Sequence, residues 1–425
     1  MVKRQTGTFS MQDKLPRLPI PDLQSTADKY IKSLEPIASS EQELENSKTL
    51  MKEFVESPFA KELQARLIAF DKKQPNSWLE ALWLDKAYLS YRDSVMINVN
   101  WYMVFTNAPY VNDPALVVDS LPFTRGQALR AAVLAKYACD YKNLIDREEL
   151  QVEMQKNGTP LCMNQQKLMF GVTRIPSIPA DKLEHKHPAP GKTALVIVDE
   201  QLFTIPVVGE TVESIYNSIV NCIKQLKSII KAPPIGILTS EHRDVWAKQY
   251  EKIKKMNPQS IKEINDTLFA ICLDSQAPRD KHEAAAFALH GQQGRNRWFD
   301  KCIEFIVFPN GVAGCNGEHS PCDAVIPNQM TTFILEKYLD FCSQCNIVTV
   351  NREKQFKPKD SAISKEDPKN QKNGKHLEFK IQVETWEAIN NAQRRAMKVI
   401  GDIDVKEYRF TEFGSEAIKQ GIFCL

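Results

Sequence analysis

The chain has 425 residues, of which 43% are hydrophobic and 25% are charged. This composition is typical of globular proteins and excludes a mostly disordered, collagen-like or fibrous chain, while the length favours two or three packed units. Lys and Arg total 55 against 53 for Asp and Glu, and a net charge of +2 gives no reason to expect a nucleic-acid partner.

The sequence carries no signal for a membrane or for secretion. No apolar run approaches the roughly 20 residues that cross a bilayer, and no apolar segment follows Lys3 and Arg4. Ten cysteines without a secretory signal are typical of reduced thiols. We therefore expect a cytoplasmic protein without a transmembrane segment, with mitochondria as the alternative location.

Helical spacing dominates the first third of the chain. Residues 1–14 are polar and unpatterned, which predicts a tail. Apolar periodicity predicts four helices, at residues 23–34, 41–70, 77–92 and 124–142. The aromatic residues of the third helix are interpreted as core, and the alanines of the fourth as a closely packed face.

Strand-type patterns begin after Gly191. Two pairs of apolar runs separated by short turns predict β-hairpins, at 194–199 with 202–207 and at 301–308 with 312–316. Residues 235–239 predict a buried strand, and helical spacing predicts helices at 212–230 and 328–341. Strands that alternate with helices predict an α/β fold with a mixed sheet.

The charged segment 351–376 predicts a solvated linker. The last segment, 377–425, predicts a strand at 377–381, a helix from Val383 and a strand around 408–410. A segment of this size cannot bury a sufficient core alone, so it must pack on the N-terminal helices or on something absent.

Common nucleotide and hydrolase signatures are missing from the sequence. Gly191-Lys192-Thr193 ends like a phosphate-binding loop, but Lys186 stands where the first glycine belongs. Neither Gly-x-Gly-x-x-Gly nor Gly-x-Ser-x-Gly occurs, which removes the usual dinucleotide and serine-hydrolase motifs.

The most informative stretch runs from Gly317 to Asp323. His319 lies between a predicted hairpin and a predicted helix, a position that suits a general base, and a structural histidine is the alternative. A zinc site is a third interpretation, with ligands drawn from Cys315, His319, Cys322, Cys342 and Cys345. Because two of these cysteines fall on or beyond a helix and one on a buried strand, we predict no bound metal.

Five motifs in order resemble the carnitine/choline acyltransferase family, over almost all of residues 15–420. They are Leu15-Pro-x-Leu-Pro-x-Pro, Pro160-Leu-Cys-Met-Asn164, Gly236-Ile-Leu-Thr-Ser-x-His-Arg-x-x-Trp246, Asn296-Arg-Trp-Phe-Asp-Lys301 and Glu318-His-Ser-x-x-Asp323. The runs that begin at Tyr91 and Ile97 are most similar to fungal-type carnitine acetyltransferases.

The resemblance implies reversible transfer of an acetyl or other short acyl group between coenzyme A and carnitine, with choline as an alternative acceptor. It implies coenzyme A as a co-substrate, no cofactor and a monomeric protein. His319 would be the general base, supported by Asp323 and Ser320, and Lys419 would contact coenzyme A. Arg297 and Asp300 are interpreted as a buried ion pair.

The implied fold has two α/β domains with mixed sheets, like chloramphenicol acetyltransferase, of which the second is incomplete. Residues 15–80 would be helices packed on the C-terminal domain, 81–350 the domain that carries the catalytic histidine, and 377–425 part of a coenzyme A and carnitine domain. The family continues further, with a Ser-Thr-Ser run and carnitine-binding residues, so the chain resembles a C-terminally truncated member. An inactive truncated member is therefore the alternative function.

Overall fold

A computed structural model describes residues 7–105, 121–344 and 374–420. The chain divides into two compact units, Met11–Ser90 and a larger unit of Met1–Ser10 with Tyr91–Leu425. Within the described ranges, no helix is both long enough and apolar enough to cross a membrane. The functions assigned to individual domains from the sequence stay predictions.

The smaller unit is helical. Its α-helices are α1 (Leu23–Leu34), α2 (Glu41–Glu56), α3 (Pro58–Asp71) and α4 (Trp78–Leu82), and a π-helical segment, Trp83–Leu89, follows. The predicted helix at 23–34 is confirmed. The stretch predicted at 41–70 is two helices, because Ser57 is extended and caps α3 by accepting from the Ala60 N–H, with Pro58 in the first turn.

The predicted buried aromatic face of residues 77–92 is wrong. Neither α4 nor the following π-helical segment contains a buried residue, and Trp83 is 53% exposed. The buried hydrophobic residues in the described part of this unit are the small Ala27 and Ala60. With these two small residues as its buried apolar side chains, the described part of this unit has no interior of its own large enough for an indole ring.

Among the described residues, the larger unit contains a seven-stranded mixed sheet. Its strands are β1 (Trp101–Val104), β4 (Thr193–Val198), β5 (Gln201–Pro206), β6 (Ala270–Leu273), β7 (Glu304–Val307), β8 (Ala313–Gly317) and β9 (Lys375–His376). Across the sheet they lie in the order β1-β8-β7-β6-β4-β5-β9. Strands β4, β6 and β7 are parallel, and the other pairings are antiparallel. A separate two-stranded sheet joins β2 (Thr173–Ile175) to β3 (Lys182–Glu184). The α/β class, the mixed sheet and both hairpins are confirmed.

Two helical layers cover the large sheet. Along β4, Ala194, Val196 and Val198 belong to one hydrophobic cluster and Leu195 and Ile197 to the other. The first cluster includes residues of α5 (Arg125–Asp146), α6 (Val212–Gln225) and α10 (Val325–Gln344). The second includes residues of α7 (Arg243–Met256), α8 (Pro258–Asp266), α9 (Lys281–His290) and α11 (Val383–Gly401). Burial on both faces explains why β4 and β6 are almost entirely apolar rather than alternating.

The buried strand predicted at 235–239 is a 3₁₀-helical segment, Ile235–Ser240. Its residues are buried as expected, but the Thr239 hydroxyl donates to the Gly236 carbonyl and the Ser240 hydroxyl to the Ile237 carbonyl. These local hydrogen bonds satisfy carbonyls that a strand would present to a neighbour.

The C-terminal predictions are confirmed only in part. Helix α11 begins at Val383, but the strand expected at 377–381 lies earlier, at Lys375–His376, where it pairs with β5. Described residues 408–410 form no strand, and Tyr408 is 82% exposed. A short α12, Ser415–Lys419, follows. Most of the predicted linker, residues 351–373, lies outside the described part of the chain.

Part of the predicted N-terminal tail is packed. Thr8 is fully buried, its N–H donates to the Glu148 carbonyl at 3.0 Å, and its hydroxyl donates to the Leu150 carbonyl at 3.1 Å. Because a paired and buried backbone is ordered structure, the stretch from Gly7 onward is more than a solvated tail.

Candidate active site

The candidate general base, His319, follows strand β8 by two residues. Strand β8 lies between β1 and β7 and is buried along its length. The Asn316 side chain anchors it further, since Nδ2 donates to the Ala288 and Leu289 carbonyls and Oδ1 accepts from Asn100 at 2.9 Å. The backbone that leads to His319 is therefore held on several sides.

Gly317 ends β8 where the chain has no room for a side chain. A Cβ atom at this position would lie 2.5 Å from the Cys302 carbonyl oxygen and would also overlap the Trp101 ring. Glycine is thus needed here for close approach of neighbouring groups.

We expect Gly317→Ala to destabilise the fold by about 1–3 kcal/mol, because the added methyl overpacks the end of β8. Gly401→Ala is the matched control, since a Cβ there has no neighbour within 4 Å. Urea unfolding of both variants measures the difference. Equal stabilities for the two variants would contradict the overpacking.

Glu318, directly before His319, is buried and fully engaged. Its Oε1 accepts from Arg174 Nη1 at 2.9 Å. Its Oε2 accepts from the Ser320 N–H at 3.2 Å and also from the Ser320 hydroxyl. Glu318 and Arg174 are each 1% exposed, so the pair lies out of water, where such an interaction is strong.

Arg174 connects this pair to a larger buried ion network. Asp181 Oδ2 accepts from Arg174 Nε at 2.7 Å and from Arg243 Nε at 2.6 Å. Arg243 Nη1 donates to Asp300 Oδ1 at 2.7 Å. Burial raises the pKa of Asp300 more than Arg243 lowers it, whereas in Asp181 two arginines outweigh burial and the pKa is lowered.

The His319 side chain is accessible from solvent. The imidazole is 31% exposed, and its Nε2 lies 3.6 Å from Oδ1 of Asp323, whose side chain is 65% exposed. A separation beyond 3.5 Å is an electrostatic contact rather than a hydrogen bond. The described structure thus brings the two residues together and leaves the imidazole partly exposed to solvent.

The far end of the His319 loop is held by the 3₁₀-helical segment Asn164–Leu168. Gln165 Oε1 accepts from the Asp323 N–H at 3.0 Å, and the Gln165 carbonyl accepts from Cys322 Sγ at 3.6 Å. The loop is therefore fixed directly after His319, at Ser320, and again further along the chain, at Cys322 and Asp323.

Lys419 is not among the described contacts of His319. It lies in α12, is 71% exposed, and its Nζ donates to Glu416 Oε1 at 3.2 Å. Its predicted contact with coenzyme A stays a prediction.

The predicted ion pair between Arg297 and Asp300 is wrong. Arg297 binds Asp274 with two hydrogen bonds, of 2.6 and 2.9 Å, and Asp300 instead binds Arg243 and the Trp246 indole N–H. Both residues are buried and charged, as expected, but each has a partner on another element. Burial requires a partner without determining which one.

The described cysteines form no zinc site. Within residues 7–105, 121–344 and 374–420, no group of three or more His, Cys, Asp or Glu side chains could hold a metal ion. Burial raises the pKa values of the Cys315 and Cys322 thiols, which disfavours the thiolate that zinc requires. Cys345 lies outside the described residues, so the absence of a metal stays a prediction.

Sequence reasoning missed the residues that hold the loop. Arg174 is 144 positions from Glu318, and Gln165 is 158 positions from Asp323. The motif Pro160-Leu-Cys-Met-Asn164, directly before Gln165, was the available signal, but it did not reveal a contact.

The α/β fold thus presents a solvent-accessible histidine on a loop that neighbouring side chains hold in place. The family model described as choline/carnitine O-acyltransferase matches residues 18–424. This chain belongs to that family.

Several relatives share sequence with nearly the whole chain. Carnitine O-acetyltransferase of Homo sapiens is 30% identical over 98% of this chain and 64% of its own length. Peroxisomal carnitine O-octanoyltransferase of Bos taurus is 29% identical over 97% of this chain and 65% of its own. Mitochondrial carnitine O-acetyltransferase of Saccharomyces cerevisiae is 28% identical over 97% and 60%. This chain spans about 60–65% of the length of these relatives.

Proposed function

We propose that this protein is a carnitine O-acyltransferase that moves an acetyl or other short acyl group between coenzyme A and carnitine. The observation that carries the proposal is His319, accessible on a loop that is fixed at both ends and lies within a family-matching chain. The names of the relatives, which are acetyl- and octanoyltransferases of carnitine, support the substrate class.

His319 acts as the general base in this proposal. It takes the hydroxyl proton of carnitine while the hydroxyl oxygen bonds to the thioester carbonyl carbon. The carbon–sulfur bond then breaks, and coenzyme A leaves as a thiol after receiving the proton from the imidazolium. Histidine suits both directions because it exchanges protons near neutral pH.

Asp323 and Ser320 support the base rather than exchange protons. Asp323 Oδ1 lies 3.6 Å from the imidazole Nε2, and the Asp323 N–H donates to Gln165, so this residue orients the loop that carries the base. The Ser320 hydroxyl donates a hydrogen bond to Glu318 and so helps to hold the loop in place. No metal or other cofactor enters the reaction, and coenzyme A is a co-substrate.

The proposal also covers the oligomeric state of the protein, its partners and its location in the cell. We propose a monomer without a nucleic-acid partner. The predicted cytoplasmic location has mitochondria as its alternative, and the names of two relatives, one mitochondrial and one peroxisomal, favour an organelle.

Thiol release by the purified protein containing this chain tests the proposal. We expect release from acetyl-CoA that depends on carnitine and is faster than release from octanoyl-CoA, with no release when choline replaces carnitine. Preference for octanoyl-CoA would overturn the short-chain assignment, and dependence on choline would overturn the acceptor. No release with any pair would favour the inactive alternative.

A further inference from the structure

The residues on both sides of His319 are joined to each other by a buried carboxylate. Glu318 precedes the histidine and Ser320 follows it, and one oxygen of Glu318 accepts two hydrogen bonds from Ser320. The loop therefore closes on itself around the backbone of His319. The second oxygen of the same carboxylate is held by Arg174.

We propose that Glu318 is a positioning residue for His319, holding the loop at Ser320 so that the imidazole keeps one direction. The proposal rests on His319 being the base of the proposed function. In this proposal Glu318, directly before the histidine, does not contact the substrate. Asp323, by contrast, faces the imidazole itself.

The hydrogen-bond partners of Glu318 suit this role. All three groups that approach its carboxylate are hydrogen-bond donors: a guanidinium N–H, a backbone N–H and a hydroxyl. A carboxylate accepts at both oxygens, and at 1% exposure water cannot replace a lost partner. A glutamine side chain has the same shape but carries an NH2 donor in place of one acceptor oxygen. That donor would face one of these three donor groups.

The anchor of the carboxylate is rigid. Arg174 lies in β2, and its Nε donates to Asp181, which also accepts from Arg243. All three side chains are buried. Because the guanidinium is held through separate nitrogens, it fixes the position of Glu318 instead of following it.

The decisive variant is Glu318→Gln, compared with Glu304→Gln as a matched control. Glu304 is a fully buried carboxylate in β7 whose backbone pairs with Asn316 of β8, and its side chain accepts from the Trp298 N–H. We expect Glu318→Gln to lower kcat about 10- to 100-fold with KM values for both substrates within about twofold, because small misplacement of a catalytic group has effects of this size. Glu304→Gln should keep the kcat of the folded protein.

Two further measurements separate positioning from folding. Ser320→Ala removes only the hydroxyl donor, and we expect a fall in kcat of about 3- to 10-fold with a small fall in the unfolding midpoint, because the Ser320 N–H still donates to Glu318. In ¹⁵N-histidine NMR, with the His319 signals assigned from His319→Gln, the ring resonances should shift in Glu318→Gln and stay in place in Glu304→Gln.

The outcomes distinguish this proposal from the proposed function. If His319→Ala is inactive while Glu318→Gln and Ser320→Ala keep full kcat, positioning by Glu318 is overturned and the base remains. Positioning by Glu318 would also be overturned if Glu318→Gln and Glu304→Gln lost equal activity, each in proportion to its loss of folded protein. If Glu318→Gln does not fold, Ser320→Ala decides alone. Full activity of His319→Ala would overturn both proposals together.

Discussion

Replacing His319 with alanine should lower kcat for acyl transfer from acetyl-CoA to carnitine about 10²- to 10⁴-fold, the contribution of a positioned general base. The imidazole is solvent-accessible at the end of a fixed strand, so its removal takes away a proton acceptor without opening the core. Thiol release at saturating substrates measures the effect, and the unfolding midpoint should stay close to the wild-type value.

The control for this variant is His185→Ala, because His185 is exposed and lies outside the His319 loop. It should retain wild-type kcat. A His319→Ala protein that keeps more than about a tenth of the wild-type rate would contradict the role of general base, given the contribution expected of such a group.

The largest effect on stability should come from Asp181→Asn. Asp181 accepts hydrogen bonds from Arg92, Arg174 and Arg243 and from the Ser177 N–H. An amide nitrogen would face these donors, and the arginines would lose their shared negative charge. Breaking a buried ion pair in this way is expected to cost about 3–5 kcal/mol, which urea unfolding measures.

Asp340→Asn supplies the comparison, because Asp340 is 60% exposed and pairs with Lys337 at 3.4 Å. Its unfolding midpoint should be unchanged, since exposed pairs contribute little. Similar losses in the two variants would show that the buried network does not hold the fold together.

The same network predicts how stability depends on pH. Burial alone would raise the pKa of Asp181, but Arg243 and Arg174 lower it more, so the folded value lies below the ordinary one. A lowered carboxyl pKa stabilises the fold above the unfolded value of about 3.9, and this contribution is lost as pH falls through the folded pKa. Unfolding of Asp181→Asn should accordingly depend less on pH below about 4 than unfolding of the wild type.

Sequence patterns predicted those parts of the fold that depend on residues close together in the chain. The short turn between the apolar runs 301–308 and 312–316 placed β7 and β8 correctly, and the position of His319 after β8 followed from it. Ile235–Ser240 was misjudged because an apolar run predicts burial, and periodicity cannot separate a buried strand from a tight helical turn.

The ion pairs could not be predicted from the sequence for a different reason. Arg297 and Asp300 are close in the chain, which favoured pairing them, yet each binds a carboxylate or guanidinium more than twenty positions away. Which partner a buried charge finds depends on how the sheet brings distant segments together. The anchoring of Glu318 by Arg174 is likewise a product of the tertiary fold.

The direction of β8 has a consequence for how sites in this kind of protein are located. Asn316 in β8 pairs with Glu304, the first residue of β7, so His319 emerges beyond the amino ends of the parallel strands. In open α/β sheets ligands usually bind at the opposite, carboxyl edge. That edge carries Asp199 and Asp274, directly after β4 and β6. A search guided by the usual rule would select those acids and pass over the histidine, because the antiparallel return of a single hairpin places His319 at the other end of the sheet.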